Sequence, residues 1–291
     1  MRTSPAWSGR GTARSTPRPF PVASLAGPIQ AVIRRDRLVV LAAVLAVAAL
    51  AWAYLVRMAR DMAAPMATTP GMPGMAMPGV APPAWDAAHL AMLVAMWAVM
   101  MVGMMLPSAA PVILLQAAID RRRHPAAAPY TAATLFALGY LAAWTGFSLL
   151  AALAQWAFAG LGLLSEAMTT TSAVLGGLLL VAAGAYQLSP LKNACLSHCR
   201  SPVHFLVHRR SAGPFGALRM GLEHGAYCIG CCWLLMALLF VLGVMNLLWV
   251  AALAAFVLLE KVVPRGDLLG RAAGVFMLVG GVLLLARAAT A

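Results

Sequence analysis

An apolar stretch between His89 and Pro111 is unusually rich in methionine, with six methionines between residues 92 and 105. At about 100° per residue, four of them drift around one side of a helix that also carries His89, namely Met92, Met96, Met100 and Met104. A thioether is a soft, neutral donor that suits Cu(I) and adds no charge inside lipid. The pattern predicts a row of copper-binding thioethers. The alternative is that these methionines are flexible apolar filler.

A second group of soft donors lies in the segment Arg219–Trp233. His224, Cys228 and Cys231 are spaced i, i+4 and i+7, which places them on one narrow helical stripe, and Cys232 lies at its edge. One imidazole with two or three thiols can form a trigonal Cu(I) site or supply three of the four ligands of Zn(II). The Cys228/Cys231 spacing also permits dithiol redox chemistry, and simple apolar packing of cysteine remains a third alternative.

Further donors lie in the segments that flank these two groups. Cys195 and Cys199 would share a face if their segment is helical, and Glu223 precedes the histidine of the second group. A Pro/Gly-rich stretch over residues 57–88 carries additional thioethers that could collect Cu(I) outside the membrane. We therefore predict accessory metal contacts from Met72, Met75, Met77, Cys195, Cys199 and Glu223.

The composition is that of an integral membrane protein. Of the 291 residues, 63% are hydrophobic and 10% are charged, whereas a soluble domain has roughly a quarter of its residues charged. The net charge of +13 lies between the apolar runs, which indicates membrane topology and attraction to anionic lipid headgroups rather than a nucleic-acid partner. The five clustered cysteines favour metal or redox chemistry over a disulfide framework.

The apolar runs predict an all-α bundle of about seven transmembrane helices. We expect residues 1–37 to be a disordered basic cytoplasmic tail, residues 57–88 an external loop, and residues 89–288 a metal-binding membrane domain. A cleaved signal peptide is the alternative for the first run, but its length favours a retained helix. The helices are expected over residues 38–56, 88–119, 131–159, 168–188, 220–243, 246–260 and 268–288.

The basic residues orient this bundle. With the N-terminus inside, 18 of the 21 Lys and Arg residues fall on the cytoplasmic side, which predicts a cytoplasmic N-terminus and an external C-terminus. Pro107 and Pro111 should free backbone carbonyls for other groups and bend the helix axis, and Gly176, Gly177 and Gly184 should allow close helix contact. Counted from the helix ends, Met104 and Cys231 should lie at similar depth, and we expect the second and fifth helices to touch there.

The motifs MWAVMMVGMMLPSAAP, GLEHGAYCIGCCW and LLEKVVPRG together resemble the bacterial family of predicted metal-binding integral membrane proteins. A branch of that family is linked to copper delivery to secreted or membrane copper oxidases of the tyrosinase type. The resemblance covers roughly residues 85–285. It implies metal binding and suggests copper, but it supplies no mechanism.

The expected function is Cu(I) handling in the bacterial inner membrane by a non-enzymatic multi-pass protein that transfers copper to an exported or membrane copper enzyme. Zinc is the alternative metal. A membrane thiol oxidoreductase that uses the Cys228–Cys232 cluster is a second possibility, and an assembly factor whose methionines only pack against a partner is a third. Membrane lipid is the surrounding partner in each case.

Overall fold

The computed structural model describes residues 22–67, 87–123, 130–164, 170, 172–201 and 215–290, with side chains described from residue 35 to 61 in the first range and to residue 121 in the second. Apart from an isolated bridge between Leu164 and Thr170, all regular structure in these ranges is helical. The predicted all-α class is therefore confirmed. The helices are α1 (Val22–Ala67), α2 (Ala87–Arg123), α3 (Tyr130–Gly160), α4 (Ala173–Leu188), α5 (Pro190–Arg200), α6 (Gly216–Ala237), α7 (Leu239–Leu242), α8 (Leu247–Val262) and α9 (Gly266–Thr290).

Five stretches in the described residues are long and apolar enough to cross a membrane, and the bent pair α4–α5 raises the number to six if it counts as one span. The predicted number of seven is therefore not confirmed. The shortfall is at α8, which has 16 residues. At about 1.5 Å per residue this helix is about 24 Å long, less than the roughly 30 Å of a hydrocarbon core.

Two segments are more helical than expected. The first helix begins at Val22, so residues 22–37 of the expected disordered tail are helical, and it continues to Ala67. Polar residues can extend a helix beyond its apolar run because helix propensity does not require hydrophobicity. The other segment follows α4, where Ser189 accepts a hydrogen bond from the backbone N–H of Lys192 and Pro190 occupies the first turn of α5. This cap starts a new helix, which is bent by 63° from α4.

Glycines bring α3 and α6 into backbone contact. A Cβ on Gly139 would collide with the carbonyl of Leu218, and one on Gly221 would collide with the carbonyl of Phe136. A Cβ on Gly225 would lie 2.6 Å from that of Ala143. The two helices can therefore approach only because these positions lack side chains.

The predicted glycine contact of the fourth helix is confirmed in α4. A Cβ on Gly177 would lie 2.6 Å from the Leu285 side chain, and one on Gly184 would lie 2.7 Å from the backbone of Gly274. Both neighbours belong to α9. The α4–α9 pair therefore packs closely in the way that small residues permit between membrane helices.

The predicted effect of Pro107 is also observed. Proline lacks an N–H, so the carbonyl of Gly103, four residues earlier, loses its helical partner. The indole Nε1 of Trp52 in α1 donates to that carbonyl at 3.2 Å. Helix α1 thus compensates for the break in the α2 ladder.

Candidate metal centre

The predicted stripe on α6 lies in the interior of the protein. Cys228, Cys231 and Cys232 are each 1% exposed and His224 is 3% exposed. The His224 ring lies between Phe136 and Tyr140, with ring centroids 5.7 and 5.8 Å away. The close approach of α3 to α6 therefore presses this imidazole between two aromatic rings of α3.

The thiol of Cys228 has a polar environment. Its Sγ lies 3.0 Å from the hydroxyl of Tyr140 and 2.9 Å from Nζ of Lys261 in α8. The Lys261 ammonium also donates to Oγ of Ser108 in α2 at 3.0 Å. A cation beside a thiol stabilises the thiolate, which is the form that binds metals and attacks disulfides.

Two other thiols lie close to Cys228. Sγ of Cys231 and Sγ of Cys232 each donate to the backbone carbonyl of Cys228 at 3.0 Å. Cys199 is buried on α5, which packs against α6. The bend between α4 and α5 therefore brings a helix with a fourth buried thiol, distant in sequence, against α6. All five cysteines are free thiols.

The C-terminal half of α2 lies at the level of these thiols, as predicted. The Tyr140 hydroxyl donates to the carbonyl of Met105 at 3.1 Å while it contacts Cys228. The expectation that the second and fifth helices pack directly needs correction. Helix α3 packs extensively against both α2 and α6, and it joins them through Tyr140.

The predicted methionine row is mostly internal. Met96, Met100 and Met104 are 5%, 2% and 2% exposed, but Met92 is 69% exposed. His89 is half-buried at the N-terminal end of the row. Successive positions four apart rotate by about 40°, so three steps turn the side chain by about 120°. On a straight helix, Met92 and Met104 therefore cannot both face the interior of the protein.

The structure does not bring every predicted accessory residue to the thiols. Glu223 forms an ion pair with Arg219 at 3.1 Å, one turn away on α6. Cys195 is half-buried and packs against Gly230, where an added Cβ would lie 2.8 Å from its sulfur. The predicted contributions of Met72, Met75 and Met77 lie outside the described residues.

Tyr140, Ser108 and Lys261 were not predicted as site residues. The sequence signal for Lys261 is its position beside Glu260 at the end of the apolar run of α8. Placing an ionisable residue in such a run costs free energy, so such a residue indicates a function. Tyr140 and Ser108 carry no comparable signal, since their importance depends on which helices become neighbours.

A second buried ionic group fixes α5 to α8. Nζ of Lys192 donates to Oε1 of Glu260 and to Oε1 of Gln187. The side chains of Lys192 and Glu260 are 1% and 2% exposed. Glu260 thus anchors α5 while the adjacent Lys261 contacts Cys228, so this pair holds Cys199 and Lys261 in place together.

Among the described residues, no three His, Cys, Asp or Glu side chains form a ready-made metal-binding group. Two thiols are turned toward the Cys228 carbonyl instead. A metal ion bound here would therefore require those thiols to rotate toward it.

Long apolar helices around an interior that contains thiols and thioethers define a helical membrane protein with soft-donor chemistry. The profile of the PpoB2 family, described as a copper chaperone, matches residues 94–284, and the chain belongs to this family. The resemblance to a family linked to copper delivery is thereby confirmed. No curated protein and no solved structure matches the chain. Helix α1 ends before the matched residues begin.

Proposed function

We propose that this protein binds Cu(I) in the bacterial inner membrane and delivers it for the maturation of an exported or membrane copper enzyme. The observation that carries the proposal is the burial of three thiols on one face of α6, with a fourth buried thiol on the adjacent α5 and three buried methionines on α2. The thiols belong to Cys199, Cys228, Cys231 and Cys232.

The donor types support a stepwise transfer of the ion. Buried thioethers at Met96, Met100 and Met104 can hold Cu(I) weakly, because they are soft but neutral. Thiolates hold Cu(I) more tightly, because they combine a soft sulfur donor with a negative charge. Copper can therefore pass by ligand exchange from the methionines of α2 to the thiols, where it is bound more tightly. Zinc would not use the methionine row, since its ligands in proteins are thiolate, imidazole and carboxylate.

Charge balance supports the position of the proposed resting site. Two thiolates and one Cu(I) ion carry a net charge of −1, which is costly in a low-dielectric interior. The Lys261 ammonium lies 2.9 Å from Cys228 Sγ and offsets that charge. The loaded site with Lys261 is then neutral overall, so the protein can hold copper away from water.

The hydrogen bonds of the two neighbouring thiols allow a response to the ion. The Cys231 and Cys232 thiols each donate a hydrogen bond to the Cys228 carbonyl. Thiols lose their protons when they ligate a metal, so they can no longer donate to that carbonyl. The thiol that joins Cys228 on the ion is then released to turn toward copper, while the other keeps its proton and its hydrogen bond, so the site holds two thiolates.

An anaerobic titration of the full chain in detergent, against a chromophoric Cu(I) chelator, tests the proposal. We expect the parent to remove copper from the chelator, and the double variant Cys228→Ser/Cys231→Ser to lose this ability. Cys195→Ser is the matched control, because that thiol lies beside the cluster yet outside the proposed ligand set, and it should bind like the parent. Equal competition by the parent and the double variant would refute the thiol site.

The methionine row requires its own experiment. In the variant Met96→Leu/Met100→Leu/Met104→Leu, leucine keeps the apolar volume but has no donor sulfur. We expect equilibrium copper affinity at the thiols to change little and the rate of copper loading to fall. Loading at the parental rate would show that these methionines only pack the interior.

A second candidate function, thiol–disulfide exchange, is favoured by the contact between Lys261 and Cys228. The Cys228/Cys231 dithiol would pass two electrons and two protons to a substrate disulfide and become a disulfide itself. This activity predicts that Cys231→Ser traps a mixed disulfide through Cys228, the thiol beside Lys261, in the absence of metal. The 1% exposure of these thiols limits access by a protein substrate, so copper handling is the better-supported function.

A further inference from the structure

An apolar groove lies between α1, α2 and α3, and none of the four thiols lines it. It encloses about 380 Å³ and is lined almost entirely by aliphatic side chains, with Val40 and Val44 on one wall and Leu106 and Ile113 on another. Only Tyr130 and Thr134 contribute polar atoms to its lining. Such a slot suits a hydrocarbon chain, whereas a packed helix needs a width of about 10 Å.

One end of the groove is polar and ordered. Tyr130 lines the groove, and its hydroxyl donates to Oδ1 of Asp36 at 3.0 Å. Nε of Arg121 donates to Oδ2 of the same carboxylate at 2.7 Å. The apolar runs of α1 and α2 stop at this end, at Leu38 and Ile119, and α3 begins here at Tyr130. The polar end therefore lies at the level of the lipid headgroups.

The charge at this end is positive. Residues 35–37 and 120–123 together carry five arginines and two aspartates, and the side chains of Arg35 and Arg37 are exposed. The positive-inside pattern predicts that this end faces the cytoplasm. Basic pockets between helices on that side attract anionic headgroups, and guanidinium groups match phosphate geometry.

We propose that this groove binds an anionic phospholipid, with one acyl chain against α1–α3 and the phosphate beside Arg35 and Arg37. The site is independent of copper. The bound lipid would also attach α1, which lies outside the copper-chaperone match, to α2 and α3, most of which lie within it.

Native mass spectrometry of the full chain, released from detergent with added lipid, tests this proposal. The probes are phosphatidylglycerol and phosphatidylcholine with identical acyl chains. We expect the parent to retain phosphatidylglycerol preferentially. The variant Arg35→Gln/Arg37→Gln should reduce that preference about thirtyfold, while Arg35→Lys/Arg37→Lys should keep most of it.

Two volume-filling variants separate the groove from general lipid adhesion. Ala43→Phe places a ring in the groove and should reduce retention of both lipids. Ala98→Phe fills a second apolar groove of about 400 Å³ between α1 and α2, and should leave retention at the parental level. Circular dichroism and gel filtration confirm that each variant remains folded.

Three outcomes would overturn the proposal. These are equal retention of both lipids by the parent, unchanged retention in Ala43→Phe, or a protein dimer that Ala43→Phe abolishes. The last would identify a second copy of the chain as the occupant.

Discussion

The buried pair of Lys192 and Glu260 gives the sharpest prediction about stability. Both side chains are almost fully buried, so neither charge can turn to water when its partner is removed. Glu260→Gln leaves the Lys192 ammonium buried without a counter-charge and should destabilise the fold by about 3–5 kcal/mol. It should also loosen α5 and with it the position of Cys199.

The double variant Lys192→Met/Glu260→Met removes both charges. Replacing a buried ion pair by apolar side chains is often neutral for stability. Here, however, Oε1 of Gln187 also loses its hydrogen-bond donor, the Lys192 ammonium. An unsatisfied buried acceptor costs about 1–3 kcal/mol. The double variant should therefore be destabilised less than the Glu260→Gln variant.

Unfolding in mixed micelles, followed by tryptophan fluorescence, measures these differences. The matched control is Asp61→Asn, which breaks the ion pair between Asp61 and Arg57. The side chains of Arg57 and Asp61 are 84% and 72% exposed. This control should change stability by less than about 1 kcal/mol. If Glu260→Gln costs no more than Asp61→Asn, or if the double variant is the least stable, the account of this pair is wrong.

Three further predictions follow from single contacts. Lys261→Met should lower Cu(I) affinity about 10–100-fold, as loss of a supporting group near a metal site typically does, and Lys261→Arg should restore part of it in the same chelator titration. Gly221→Ala should destabilise the fold by about 1–3 kcal/mol, because its Cβ would collide with the Phe136 carbonyl. Gly280→Ala, which meets nothing within 4 Å, should be neutral or slightly stabilising. Trp52→Phe should cost about 1 kcal/mol in thermal unfolding by removing the donor to the Gly103 carbonyl, and a stability equal to the parent's would contradict that role.

Much of the helical framework could be predicted because it depends on local signals. The apolar run of the third helix predicted residues 131–159, and the structure has Tyr130–Gly160. The missing N–H of Pro107 predicted a carbonyl in need of a partner, although not that Trp52 would supply it. The spacing of the α6 donors predicted that they share one face, and the structure adds that this face is buried.

The remaining features depend on tertiary contacts that spacing cannot encode. Periodicity showed that the α2 methionines share a drifting stripe, but not which part of the stripe faces inward, so the exposure of Met92 was missed. The signal for α5 was present in Ser189 and Pro190, a helix cap followed by a first-turn proline. The packing of the helix that carries Cys199 against α6 depends on the bend between α4 and α5, and that bend is set by packing between distant helices.

X-ray absorption at the copper edge is the most direct test of the proposal that buried thiols hold the delivered ion. The protein would be loaded anaerobically with one equivalent of Cu(I), beside the Cys228→Ser/Cys231→Ser variant. The account predicts a first shell made of sulfur in the parent, and loss of the bound ion in the variant. A first shell of nitrogen or oxygen in the parent, or the same sulfur shell in the variant, would contradict it.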